Sequence, residues 1–325
     1  MDIFVTGGAG YIGSTATATL LEAGHSVTVY DSLVKGHRAA VPEKAEFIQA
    51  DLADKERLRS ALQSRSYAAV MHFAAFIEAG ESMQMPGKYF HNNLALSLGL
   101  IDEVVAADIP RFVLSSTAAV YASSAEPLSE SSPLGPSNVY GQTKLMIEQT
   151  LEWYQRVHGL HYAALRYFNA AGALPGLGEA HQPETHLIPL VLQVPLGQRT
   201  EAHINGTDYP TPDGTCVRDY IHIADLISAH LLALEALEDR KRLVYNLGNG
   251  SGYSVREVID TACRVTGFDI PVVQDPRRPG DAPRLVADAS LIKAELGWKP
   301  ALPELERIIS SAWEWHRSHP NGYNS

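Results

Sequence analysis

Ile3-Phe4-Val5-Thr6-Gly7-Gly8-Ala9-Gly10-Tyr11-Ile12-Gly13 is the stretch whose reading decides the fold. A short apolar run enters a loop in which Gly8, Gly10 and Gly13 are spaced G-x-G-x-x-G. Glycine-rich hexamers also form ordinary turns, so the spacing alone settles little. The surroundings carry the reading: the run before the glycines is β-compatible, and Tyr11 to Glu22 is helix-compatible. Gly24 can stop that helix in the left-handed conformation. A second apolar run, Val27-Thr28-Val29-Tyr30, ends on Asp31, about twenty residues past the glycines, where a β-α-β dinucleotide unit places its acceptor for ribose hydroxyls. Glycine has no Cβ, so the backbone can approach a pyrophosphate that faces the free N–H groups of the helix start. Asp31 would repel a 2′-phosphate, which favours NAD over NADP; Lys35 and Arg38 lie close by as a counterweight.

Beyond Asp31 the same alternation continues. Phe47 to Gln49, Ala69 to Phe73, Phe112 to Leu114 and Tyr162 to Arg166 read as strands, separated by helical stretches around Asp54 to Gln63, Asn92 to Ala107 and Tyr140 to His158. This is the rhythm of an α/β fold with a doubly wound parallel sheet, a Rossmann domain, which gathers ligands at the carboxyl ends of its strands. The residues there are Asp51-Leu52, Phe73-Ala74-Ala75, Ser115-Ser116-Thr117 and Tyr167-Phe168-Asn169. From Ala170 the texture becomes irregular and rich in Gly, Pro and His, although Leu187 to Leu192 needs burial. A smaller, mixed C-terminal domain follows from this. The division is 1–169 for the dinucleotide and 170–325 for the substrate, with about 217–249 returning to the main sheet. Ser254 and Glu257 have the spacing of a capping box. Trp298, Trp313 and Trp315 are expected as core anchors of the second domain.

The 325 residues, 45% hydrophobic and 19% charged, describe an ordinary soluble globular protein. A formal net charge of -11 without a basic run argues against nucleic acid or an anionic membrane as partner. No apolar stretch is long enough to span a bilayer, and the chain opens directly on its first strand; both lead to the expectation of a cytoplasmic protein. Cys216 and Cys263 have no metal-ligand spacing and read as free thiols, and no metal is expected.

Tyr140-Gly141-Gln142-Thr143-Lys144 is the second constellation. Residues four apart share a helix face, so the Lys144 ammonium is expected beside the Tyr140 phenol. Such a pair is usually a solvated helix face; beside a nicotinamide it becomes a general base. A phenol near pKa 10 is about a thousandth ionised at pH 7, and Lys144 together with the cationic nicotinamide could lower it by about two to three units. Ser115, Ser116 and Thr117 offer hydroxyls to bridge tyrosine and substrate, or simply to satisfy strand-end backbone groups.

The order of glycine fingerprint, Thr117, Tyr140 and Lys144 resembles the extended short-chain dehydrogenase/reductase superfamily. Further motifs make the chain similar to the UDP-glucose 4-epimerase family along essentially its whole length. They are Thr6 to Gly13, His72-Phe-Ala-Ala75, Gly80-Glu-Ser82, Arg166-Tyr-Phe-Asn169, Asp208-Tyr-Pro-Thr211, Asp213 to His222, Tyr245-Asn-Leu-Gly248 and Arg277-Arg-Pro-Gly-Asp281. The resemblance implies reversible epimerisation at C4 of a UDP-hexose through a 4-keto sugar, with Tyr140, Lys144 and Thr117 as catalytic residues and NAD staying bound. It implies NAD contacts at Gly7, Gly10, Tyr11, Ile12 and Gly13; at Asp31, Ser32, Leu33, Lys35 and Gly36; and at Asp51 and Leu52. Phe73, Ala74, Ala75, Ile77, Asn92, Ser115, Tyr140, Lys144 and Phe168 complete that set. UDP-sugar contacts are implied at Thr117, Asn169, His186, Leu187, His203, Ile204, Asn205, Arg218, Arg278, Asp281 and Leu285. Ile77 stands where some members carry a lysine. Leu285 stands at the position that gates the sugar pocket, and its size could admit an N-acetyl group, so UDP-N-acetylglucosamine is the alternative substrate.

Nucleotide-sugar dehydratases and decarboxylating relatives need a carboxylate beside Thr117, where this chain has Ala118 and Ala119. A non-catalytic dinucleotide sensor would not need Tyr140 and Lys144, and a dissociable-cofactor alcohol dehydrogenase would consume NAD. The resemblance also implies a homodimer, with Asn92 to Ala107 and Tyr140 to His158 pairing as a four-helix bundle.

Overall fold

The computed structural model describes residues 1–124, 126–278 and 281–323. Its strands are β1 (Asp2–Thr6), β2 (Ser26–Asp31), β3 (Glu46–Gln49), β4 (Ala69–His72), β5 (Arg111–Thr117), β6 (His161–Tyr167), β7 (Asn169–Ala171) and β8 (Ala202–Asn205). They continue with β9 (Val217–Arg218), β10 (Tyr220–His222), β11 (Arg242–Leu247), β12 (Tyr253–Ser254), β13 (Val272–Asp275) and β14 (Arg284–Leu285). The helices are α1 (Tyr11–Glu22), α2 (Lys55–Gln63), α3 (Ala79–Gln84), α4 (Pro86–Tyr89), α5 (Leu96–Ala106) and α6 (Val139–His158). After them come α7 (Leu187–Leu192), α8 (Ile223–Ala236), α9 (Val255–Thr266), α10 (Ser290–Leu296) and α11 (Leu305–Ser318). A π-helical turn over Phe90–Ala95 leads into α5, where the sequence reading expected one continuous helix.

Seven strands form one parallel sheet in the order β11-β6-β5-β4-β1-β2-β3. Side chains alternate across a strand, and β1 shows the result. Ile3 and Val5 enter the core packed under α1 and α8, whereas Phe4 enters the core under α2, α5 and α6. Both faces are therefore covered, as a parallel sheet requires. Helix α1 ends as expected: Gly24 takes φ +83°, and its N–H bonds to the Leu21 carbonyl.

A third core, including Ile188, Leu192, Ile204, Val258 and Ile308, builds the smaller lobe from α7, α9 and α11. Ser254 and Glu257 close a full capping box on α9. Trp298, expected in this lobe, is instead buried in the main-sheet core under α8, where its indole N–H donates to Ser228 Oγ at 3.0 Å. Trp315 is buried as well, while Trp313 only edges the third core.

The expected return of about 217–249 to the main sheet holds for β11 alone. Register pairs Arg242 with Tyr162 through Leu247 with Tyr167, which fills the free edge of β6. β9 instead joins β12 and β14, and β10 pairs with β7. Between β9 and β10 sits fully buried Asp219, whose carboxylate accepts from the N–H groups of Asn249, Gly250 and Ala287. Those bonds tie the segment to the loop after β11 and to the residues just beyond β14, away from the seven-stranded ladder. No described helix is long and apolar enough to cross a membrane.

Candidate active site

The strand order reverses between β1 and β4, neighbours in space but not in sequence, and a cavity of about 310 Å3 opens at their carboxyl ends. Gly7, Gly10, Tyr11, Ile12 and Gly13 line it. Gly7 has φ +72°, and a Cβ there would lie 2.4 Å from the Ala74 nitrogen; a Cβ on Gly13 would lie 2.1 Å from the Gly7 carbonyl oxygen. Gly10 is the N-cap of α1 and supplies no side-chain cap, so the free N–H groups of the helix start open onto the cavity. That is an anion cradle.

Asp31, 8% exposed, accepts from the N–H of Ala9 at 2.9 Å and of Leu33 at 2.8 Å. The two nearby cations are engaged elsewhere. Lys35 Nζ pairs with Glu78 at 2.8 Å and donates to the Gln182 carbonyl at 3.1 Å; the Arg38 guanidinium lies 4.6 Å over the Phe47 ring. Ser32, Lys35, Gly36, Asp51, Leu52, Phe73, Ala74, Ala75, Ile77, Asn92, Ser115 and Phe168 also line the cavity. Leu33 does not. It takes φ +61° and packs on the sheet core, so its backbone N–H, rather than its side chain, shapes the site.

Thr117, Tyr140 and Lys144 meet at the inner end of the same cavity. Asn138 caps α6 by accepting from the Gly141 N–H at 2.8 Å, which sets Tyr140 and Lys144 in its first turns. Lys144 stands in the same cavity as the phenol but is hydrogen-bonded elsewhere. Lys144 Nζ donates to the Ser115 carbonyl at 2.8 Å, and burial draws its pKa down to about 8, with Glu148 opposing. Burial pushes Tyr140 up to about 12, with the neighbouring Thr117 hydroxyl pulling the other way and Glu78 adding to the rise. Of the three strand-end hydroxyls, Ser115 is bonded to Tyr167 and Ser116 to Glu148. Thr117 is the one left beside the phenol.

A second cavity of about 440 Å3 adjoins the first. Asn169 and His186 line both. Leu187, His203, Asn205, Arg218, Arg278 and Asp281 line the second. Arg218 lies 3.3 Å from Asp281 and donates to the Ala282 carbonyl at 2.8 Å, which orients its guanidinium. Ile204 lines neither cavity: on β8 it points opposite to His203 and Asn205 and enters the third core. Leu285 likewise lines neither; it packs on the small cluster that contains Phe168 and Tyr121. Pro279 and Gly280, within the motif at 277–281, lie outside the described residues.

Residues 3–248 match the NAD dependent epimerase/dehydratase family. The chain belongs to that family. Its relatives within the family include the UDP-glucose 4-epimerase of Halalkalibacterium halodurans, 47% identical over 100% of this chain and 98% of that one. The crystal structure of UDP-glucose 4-epimerase from Brucella ovis in complex with NAD superposes with a TM-score of 0.93 at 41% identity, covering 99% of this chain and 98% of that chain. The enzyme from Bifidobacterium longum in complex with NAD+ and UDP gives 0.94 at 35% identity, covering 99% and 100%.

In this family member several cavity residues escaped the sequence reading, because nothing local marks them. Glu179, His181 and Arg199 are brought in only by folding. The segment from Gly172 to His186 crosses the first cavity as a strap. It is tied by Tyr11 Oη donating to the Gly172 carbonyl at 2.6 Å and by His37 Nε2 donating to the Ala180 carbonyl at 2.9 Å. Within it, donor atoms of Glu179, His181, Glu184 and His186 lie within 4.8 Å of one another, a gathering the expectation of no metal did not foresee. Here they are turned on each other. His186 Nδ1 is 2.7 Å from Glu179 and 2.9 Å from Glu184. Both carboxylates are thereby charge-paired.

Proposed function

We propose that this protein is an NAD-dependent UDP-hexose 4-epimerase that interconverts UDP-glucose and UDP-galactose through a 4-keto sugar. The observation that carries the reading is the shared wall: Asn169 and His186 border both cavities. One ligand can therefore place its sugar against Tyr140 and its diphosphate against Arg218 and Arg278.

The first cavity fits NAD. Its uncapped helix start and close-packed glycines suit a pyrophosphate, and the Asp31 carboxylate, with Lys35 and Arg38 turned away, suits free ribose hydroxyls better than a 2′-phosphate. Bound NAD supplies a reversible two-electron acceptor beside the sugar C4. Tyr140 Oη takes the C4 hydroxyl proton and later returns it, so the residue is regenerated in each turnover. Thr117 lies where its hydroxyl orients that proton transfer. A phenol held near 12 by burial needs added positive charge to act at neutral pH; Lys144 and the oxidised nicotinamide provide it. Arg218 and Arg278 hold the diphosphate by charge-assisted hydrogen bonds while the sugar turns and presents its other face. Ala118 and Ala119 offer no carboxylate beside Thr117, where a dehydratase needs one, which supports epimerisation over dehydration.

The relatives named above are UDP-glucose 4-epimerases, which supports glucose and galactose over the N-acetylated alternative. The division into a dinucleotide domain, 1–169, and a substrate domain, 170–325, is part of the same reading. So is a homodimer through α5 and α6, supported by Trp153 and Val157, 63% and 67% exposed one turn apart on α6. Sedimentation as a monomer at assay concentration would reject it. A cytoplasmic location is supported by the two free thiols, Cys216 and Cys263.

The deciding experiment incubates purified protein with UDP-galactose and no added NAD. UDP-glucose forming without net NADH is the expected result. Failure to convert even after NAD is supplied would reject the reading. Parallel incubation with UDP-N-acetylgalactosamine decides the alternative.

A further inference from the structure

Behind Lys144 lies an ion pair that no step above uses. Glu148 on α6 and Arg166 on β6 have side chains 7% and 6% exposed. Arg166 Nε donates to both Glu148 oxygens, at 3.0 and 3.1 Å, and Nη2 closes the fork. Arg166 Nη1 donates to Tyr121 Oη at 2.9 Å, and Tyr121 in turn donates to Asn246 Oδ1 at 2.7 Å. Ser116 Oγ donates to Glu148 Oε1.

Each member of this group adjoins a residue of the active site. Ser116 lies between Ser115, whose carbonyl accepts from Lys144, and Thr117. Arg166 directly precedes Tyr167, Phe168 and Asn169, all lining the first cavity. Glu148 follows Lys144 by four residues, as Lys144 follows Tyr140, so the three share one face of α6. Burying two ions costs several kcal/mol apiece, and apolar groups of the same volume often serve stability as well or better. Stability alone therefore explains this pair poorly.

Charge explains it better. Lys144 is 1% exposed, and the groups packed around it leave it short of anions. From β4 it faces His72, which burial keeps neutral with a pKa lowered to about 3; from β5 it faces the Ser115 carbonyl. On β6, Tyr167 is kept protonated by burial, and Glu78, which faces Tyr140, is already paired with Lys35. Glu148 is the carboxylate that acts on the Lys144 ammonium, opposing the burial that draws its proton off.

We propose that Glu148, braced by Arg166 and Ser116, is a positioning residue that keeps the Lys144 ammonium charged and registers Lys144 and Thr117 against Tyr140. The inference rests on the epimerase reading for its activity arm.

Breaking a buried pair is strongly destabilising, whereas replacing both partners is often tolerated, so the test uses Glu148→Gln alone and the neutral double variant E148Q/R166M. Full-length protein is assayed with UDP-galactose across pH, and the tyrosinate absorbance step that Y140F removes is titrated in parallel. In Glu148→Gln, which leaves the Arg166 cation behind Lys144, the alkaline limb of kcat is expected to move down by about one pH unit, with kcat at pH 8 about fivefold lower and KM within about twofold; in the double variant, which removes both charges, the limb is expected to move in the same direction by less. The Tyr140 step is expected to move up. Glu148→Asp, which keeps the charge, is expected to restore the limb. An unmoved limb and an unmoved tyrosinate step, with only the melting temperature changed, would make the pair a plain strut and overturn the proposal. Wild-type protein that fails to interconvert the sugars overturns the functional reading separately, and the tyrosinate titration still decides the role of Glu148.

Discussion

Removing one oxygen, by Tyr140→Phe, is the most direct perturbation of the proposed chemistry. The phenol is held at about 12 by burial, so at pH 8 about one molecule in ten thousand carries the anion. Bringing that pKa to 8 takes about 5 kcal/mol of preferential stabilisation of the phenolate, which Lys144 and the nicotinamide charge must provide together. A positioned general base contributes about 10²–10⁴-fold. Tyr140→Phe is accordingly expected to lower kcat by about a thousandfold. Binding should survive, because Tyr140 does not line the second cavity, the proposed site of the UDP moiety. The fold should survive too, since the backbone N–H of residue 140 keeps its bond to Ser82 Oγ at 3.2 Å. The assay follows UDP-galactose conversion alongside UDP affinity by calorimetry. Turnover within about tenfold of wild type would refute the reasoning and pass the base role to another group.

Gly13→Ala places a methyl 2.1 Å from the Gly7 carbonyl oxygen, a backbone atom that cannot swing aside. It is expected to cost about 1–3 kcal/mol of stability and to yield protein purified without bound dinucleotide, read by melting temperature and by NAD released on denaturation. The strap should make stability depend on pH. Burial opposes the charged form of His186, but Glu179 and Glu184 outweigh it and hold its pKa well above the ordinary 6.5. Burial likewise opposes the Glu179 carboxylate, yet the two histidines hold its pKa well below 4.5. The histidine contribution is complete below about pH 6.5 and is lost as pH rises through its folded value; the glutamate contribution is complete above about pH 4.5 and is lost as pH falls through its own. The melting temperature should therefore be highest between those limits, and His186→Gln should remove the alkaline decline; an unchanged profile in that variant would exclude the strap as its source.

Some of this site is legible in local sequence because local physics specifies it. Gly7, Gly10, Gly13 and Asp31 are tied to one loop and one strand end, and the spacing of Tyr140 and Lys144 needs only a helix. The rest was decided by packing. Helix spacing puts Lys144 on the face of Tyr140 but does not show that its hydrogen-bond partner is the Ser115 carbonyl, on a strand distant in sequence. Val217 to Ile223 carries the same apolar signal as a main-sheet strand, yet Asp219 anchors it elsewhere. Ile204 and His203 are adjacent in the chain, and the pleat sends one to the core and the other to the cavity.

By itself the sequence determined the parallel α/β sheet, the dinucleotide groove and the tyrosine–lysine face, since each follows from residues within one or two neighbouring elements. Tertiary structure alone decided which cations turn away from Asp31, how the strap from Gly172 to His186 crosses the groove, and that Glu148 and Arg166 stand behind Lys144. Those outcomes depend on which buried charges and carbonyls, far apart along the chain, end within a hydrogen bond of one another, and the energy of each such contact is set by the surroundings that exclude water from it.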